Sequence, residues 1–280
     1  ACAGAPSTTV PAASFQGGSA MGYVEQQMAF GPRVPGSGAS KQAGDRIITS
    51  LTDLGWTSSQ QTFEYHGVQL RNITAHWVAA EGPLVLLGAH YDSRKIADQD
   101  PSTGEQPVPG ANDGASGVGV LLELARVLPT SAPACRVDLA FFDGEDSGGI
   151  DGWDWIVGST YMAEHLSERP DAFVLVDMVG DEDLDLYMEG NSDPALRGSI
   201  WTTADSLGYD AFVPVVKYTM VDDHIPFVQK GIRSVDIIDF DYPYWHTQLD
   251  TLDKLSAASL EQVGRTLQAW LAGCPDNLGR

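Results

Sequence analysis

The chain has 280 residues, 43% of them hydrophobic and 19% charged, so it can bury a sizeable core in one large domain or two small ones. Thirty-eight acids against sixteen bases leave a net charge of −22, which repels phosphate backbones and anionic lipid and argues against nucleic-acid or polybasic-membrane binding. The longest apolar runs, Leu84–Ala89 and Gly117–Leu122, fall far short of the ~20 residues a membrane-spanning helix needs.

Residues 1–20 are small, polar and rich in Pro and Gly, which predicts a flexible tether ahead of a catalytic domain over 21–280. Cys2, directly after Ala1, resembles the lipid-attachment cysteine of a bacterial lipoprotein. The expectation is an exported chain, anchored in the cell envelope or secreted, and monomeric. Cys135 and Cys274 stand at element ends and leave two readings, a disulfide or two free thiols.

From Met21 helix and strand patterns alternate. Helices are predicted over Gly22–Met28 and Ala39–Leu54, and strands over Asn72–Val78 and Leu84–His90. A helix over Ser116–Leu128 with Pro129 beyond it follows, then a strand over Arg136–Phe142 and a helix over Ser159–Leu166. Strands Phe173–Met178 and Leu184–Met188, helices Pro194–Leu207 and Ile225–Lys230, a buried strand Ser234–Ile238 and a helix Ser256–Leu271 complete the series. Such alternation implies an α/β fold: a single-domain α/β/α sandwich on a mixed, mostly parallel sheet.

Active sites of such sheets collect where strands end. LVLLGA runs into His90 and Asp92, and VDLAFF into Asp143, Glu145 and Asp146. FVLVDM carries Asp177, a Pro/Gly-rich loop delivers Asp113 to a helix start, and the last strand leads to Trp245 and His246. Asp113 alone reads more readily as a helix cap. Asp177 within an apolar strand must be paired or ligate a metal, because bare burial costs several kcal/mol. Carboxylates that converge repel one another unless a cation sits among them, and His/Asp/Asp is a donor set that catalytic zinc uses.

The segments AHYDSR, GANDGASGVGVLLELARVL, FFDGEDSG, VLVDMVGD and WHTQLDTLDKL together resemble the zinc aminopeptidase superfamily. Within it, FGPRVPGSGAS, DDHIPFVQKGI and the Trp245-His246 pair resemble the glutaminyl-peptide cyclotransferase branch. The resemblance runs from Phe30 to Leu271. It implies one zinc on Asp113, Asp146 and His246, Glu145 as the acid/base, Asp177 and Asp222 in a hydrogen-bonded active-site network, and Trp245 as a pocket wall. Position 146 departs from the family's Glu-Glu pair, being one methylene shorter. The insertion after it offers two more candidates for the wall, Trp153 and Trp155.

Two enzymes fit this set of residues. A cyclase would convert N-terminal Gln, and slowly Glu, of peptides or proteins to pyroglutamate, with Glu145 moving a proton from the α-amine to the leaving nitrogen. An aminopeptidase would use Glu145 to deprotonate water, with two zinc ions, the second on His90 and Asp177 and bridged by Asp113. A peptide-binding lipoprotein on the same scaffold is the non-enzymatic alternative.

Overall fold

The computed structural model describes residues 13–77, 81–101, 105–131 and 133–279. Its helices are α1 (Gly17–Met28), α2 (Gly38–Asp53), α3 (Ala115–Ser131), α4 (Val157–Glu164), α5 (Pro194–Ser206), α6 (Ile225–Gln229) and α7 (Ala257–Ala272). Its strands are β1 (Thr57–Tyr65), β2 (Val68–His76), β3 (Leu84–His90), β4 (Arg136–Phe142), β5 (Ala172–Asp177), β6 (Leu186–Glu189), β7 (Phe212–Tyr218) and β8 (Arg233–Ile238).

Six strands form one sheet in the order β1-β2-β4-β3-β5-β8. The β1–β2 and β2–β4 pairs are antiparallel, and β4, β3, β5 and β8 run parallel. Helices cover both faces, which is why the central strands read as continuous apolar runs. In β3 every residue is buried, and the period of two divides them: Val85, Leu87 and Ala89 join one core, Leu86 the other. The first core packs α1, α3 and α7 against the sheet; the second lies under α4 and α6 with Phe142, Phe173 and Phe227. The expected α/β/α sandwich with a mixed, mostly parallel sheet is therefore the observed one.

Three differences have physical causes. The predicted tether is too long at its C-terminal end: α1 starts at Gly17, and Phe15 is fully buried. A Cβ on Gly17 or Gly264 would collide with Ala257 or with the Phe15 ring, so small residues here serve close packing rather than looseness. Cys2 lies outside the described residues. Strand β1 went unpredicted because TSSQQTFEY is a polar sheet edge, and only Phe63 is buried. Its partner is reached through a two-residue turn, His66-Gly67, both at positive φ. β7 is likewise mostly exposed and interrupted by Pro214.

Cys135 and Cys274 form a disulfide joining the start of β4 to the end of α7, across a sequence separation of 139. Among the described residues no helix is long and apolar enough to cross a membrane.

Candidate active site

The four parallel strands end on one edge, and that edge holds the polar residues. His90 closes β3, the Asp143–Asp146 loop follows β4, Asp177 closes β5, and the segment after β8 returns as Trp245-His246. The sequence-predicted residues converge and are buried: Glu145 is 7% exposed, Asp177 5%, Asp222 4%, Asp113 3%, His246 2%, Asp146 1% and His90 1%.

Neighbouring buried side chains hold the loops that carry Glu145, Asp146 and Asp113. Both oxygens of Asp92 accept from the loop after β4, from Glu145 N and Asp146 N at 3.2 Å each. Arg94 donates to Asp146 O at 3.1 Å, which turns that loop inward. Asp250 accepts from Asn112 N at 2.8 Å and Asp113 N at 3.2 Å, and Tyr242 OH donates to it at 2.8 Å. The guanidinium of buried Arg33 donates to Tyr91 O, Pro109 O and Gly110 O, tying the β3 end to the Asp113 loop. Gly114, at φ +91, lets that loop pass; a Cβ there would lie 2.6 Å from Asp92 O.

Two donor sets result, and they share Asp113. In the first, His246 Nε2 lies 3.0 Å from Asp146 Oδ1 and 3.6 Å from Asp113 Oδ2. In the second, His90 Nε2 lies 3.1 Å from Asp113 Oδ1 and 3.2 Å from Asp177 Oδ1. Donors of a tetrahedral zinc, each about 2.0–2.1 Å from the ion, stand about 3.3 Å apart, so both sets suit a zinc-sized cation. Asp146 Oδ2 is buried without a hydrogen-bond partner, as a ligand oxygen awaiting a cation would be. The shorter aspartate at 146 stands in this donor set on a loop that Asp92 and Arg94 hold.

His246 is further constrained. Its ring lies between two indoles, Trp245 at 3.7 Å and Trp155 at 5.9 Å between centroids. Arg94 sits 4.7 Å from the Trp155 ring, and Asp98 Oδ1 lies 3.4 Å from His246 Nδ1. His246 and Met178 both adopt left-handed backbone, φ 55 and 45, a strain that surrounding packing must hold.

A cavity of about 190 Å³ opens over this set, lined by Glu145, Asp177 and Asp222 on the polar side and by Trp155, Trp245, Phe240, Met178, Met220, Val221 and Ile238 on the apolar side. Of the two candidate tryptophans, Trp155 is in this wall; Trp153 lines a separate cleft with Val68 and Ile150. A larger cavity of about 1110 Å³, between the Glu182–Asp185 loop and α7, contains none of these residues.

Burial, with Asp146, Asp222 and Asp223 nearby, pushes the Glu145 carboxyl well above the usual range against the opposing pull of His90. Burial and Asp177 push Asp222 up to about 7. Burial, with Asp222, Glu189 and Asp177 nearby, likewise pushes Asp236, in the middle of β8, well above the usual carboxyl range. Asp236 was not anticipated, nor was the positioning role of Asp92; a lone acid in an apolar strand, SVDII, was the available signal.

The chain matches Peptidase family M28 over residues 72–271 and belongs to that family. Its structure is similar to a Tannerella forsythia glutaminyl cyclase, TM-score 0.87 at 35% identity, covering 93% of this chain and 99% of that one. It is equally similar to a Zn-dependent exopeptidase from Parabacteroides distasonis, TM-score 0.87 at 33% identity, covering 94% and 99%. In sequence it is 30% identical to the aminopeptidase YwaD of Bacillus subtilis over 66% of this chain, which spans only 40% of that relative.

Proposed function

We propose that the chain is a glutaminyl-peptide cyclotransferase that closes N-terminal Gln of peptides to pyroglutamate and releases ammonia. The observation that carries this reading is the cavity. At about 190 Å³ it is smaller than the roughly 300–1,000 Å³ of sites for drug-sized ligands and suits one folded-back side chain. Three carboxyls capable of holding protons face it from one side, and aromatic rings close the other. The similarity to the Tannerella forsythia cyclase supports the same reading.

Asp113, Asp146 and His246 would hold the zinc, which supplies Lewis-acid polarisation of the side-chain amide oxygen when bound. The chain's own residues do the rest. Trp155 and Trp245 pack against the substrate's side chain, hold the α-amine near the amide carbon, and exclude water. Glu145 accepts a proton from the attacking amine and returns it to the departing nitrogen, so no water is consumed. Its raised affinity for a proton suits a group that must both take and give one. Asp222 and Asp177 bind and orient the leaving amide nitrogen. The strongly negative chain favours a substrate that arrives amine first.

Hydrolytic removal of N-terminal residues is the second reading, favoured by the His90–Asp113–Asp177 set that suits a second cation. The disulfide supports residence in an oxidising compartment. Ammonia release from Gln-initiated and Gln-free dipeptide amides separates the two activities. Ammonia from the Gln substrate alone supports cyclisation; free amino acids from both would replace it with the peptidase.

A further inference from the structure

We propose that Glu189, acting with His224, is a positioning residue that fixes the Met220–Asp222 strap as a wall of the reaction pocket. The proposal rests on the reading of that pocket given above.

Glu189 ends the short strand β6 and is 1% exposed. Its carboxylate is filled by neighbours. Oε1 accepts from Asn191 N at 2.8 Å and, from 31 positions along the chain, Met220 N at 3.0 Å. Oε2 accepts from Ser192 N and Ser192 Oγ, both at 2.8 Å, and faces His224 Nε2 at 3.2 Å. The same turn grips the strap twice more. Gly190 N donates to Tyr218 O at 2.8 Å, and Asn191 Nδ2 donates to Met220 O at 2.9 Å. Met220, Val221 and Asp222 are the strap's contribution to the pocket lining.

Fully buried His224 stands between Glu189 and a second buried acid. Its Nδ1 lies 3.5 Å from Asp236 Oδ2, a buried acid in the middle of β8. Glu189 therefore reaches Asp222 through the backbone at Met220, two residues before it. Burying a carboxylate and an imidazole only to pack a turn is expensive, because an apolar pair of similar volume avoids the desolvation. What the polar pair adds is a fixed geometry for a segment with no strand or helix of its own.

The test compares Glu189→Ala, Glu189→Gln and Asn191→Ala with wild type in kcat and KM on a Gln-initiated peptide, zinc content, and amide hydrogen exchange over 219–224. A displaced pocket wall costs turnover, so Glu189→Ala should lower kcat by about tenfold or more, with faster exchange at Met220–Asp222 and zinc retained. Glu189→Gln keeps an oxygen for Met220 N and should recover kcat to within about threefold of wild type. Glu189→Ala with kcat within about twofold of wild type and unchanged exchange would overturn the proposal, as would activity lost only in step with the unfolded fraction. Should Glu189→Ala not fold, exposed Asn191→Ala removes only the bond to Met220 O. It should speed exchange at the strap and lower kcat/KM by about threefold, and no change in either overturns the proposal. A wild type that cyclises nothing would sink the reading of the pocket, while exchange would still decide whether Glu189 holds the strap.

Discussion

Asp146 Oδ1 lies 3.0 Å from His246 Nε2, although the two residues come from opposite ends of the fold's second half. The contact exists because Asp92 and Arg94 turn the loop after β4 inward and two indoles clamp the imidazole. With Asp113 they form a buried donor set of the type that holds catalytic zinc.

Asp146→Asn should lose zinc on dialysis against a mild chelator under conditions where wild type keeps it, since it removes the charged donor. Asp146→Glu, which restores the residue the family pattern has here, should keep the metal. Metal analysis of the dialysed proteins decides; undiminished zinc in Asp146→Asn would remove this residue from the ligand set.

Glu145 lies beside that set in sequence and lines the pocket. Glu145→Gln keeps the shape and removes the proton acceptor, so turnover should fall by roughly 10²–10⁴-fold with zinc retained. Activity within a few-fold of wild type would take Glu145 out of the mechanism. Loss of zinc in the same variant would make it a ligand.

Asp222 gives a pH signature. Its pKa is raised by burial and Asp177 to about 7 from an ordinary 3.8. Between these values the folded metal-free chain keeps a proton that the unfolded chain has released. Stability from this group is therefore highest below the unfolded value and is lost as pH rises towards the folded one, by about 1.4 kcal/mol per pH unit. Asp222→Asn should flatten the slope of denaturation free energy over that window and reduce turnover by about tenfold or more. An unchanged slope would mean that the Asp222 carboxyl holds no proton over that window.

The disulfide closes a long stretch of chain. Cys135→Ser with Cys274→Ser should lower unfolding free energy by about 2–4 kcal/mol and leave kcat near wild type, because neither residue lines the pocket. Denaturant titration under oxidising and reducing conditions measures it; identical midpoints would show no stabilisation by the bond.

The site was legible where chemistry conflicts with burial. LVLLGA-His90, VDLAFF-Asp143 and the Asp177 of FVLVDM stand out because parallel central strands are apolar throughout and a carboxylate at their ends needs a reason. β1 and β7 were not legible, since exposed edge segments carry no apolar period. Asp236, Glu189 and His224 were missed as a group because the chain brings them together only in three dimensions. Trp155 could not be told from Trp153 in sequence; Arg94 and His246, both distant, decide which indole faces the pocket.

The central claim is that the α-amine of the substrate, not water, attacks. Mass spectrometry of a Gln-initiated peptide incubated with zinc-loaded enzyme in heavy-oxygen water tests it directly. The account predicts one product, lighter than the substrate by a single ammonia, resistant to Edman degradation, and free of heavy oxygen. A peptide shortened by its first residue, with heavy oxygen in the released amino acid, would contradict it and establish the aminopeptidase.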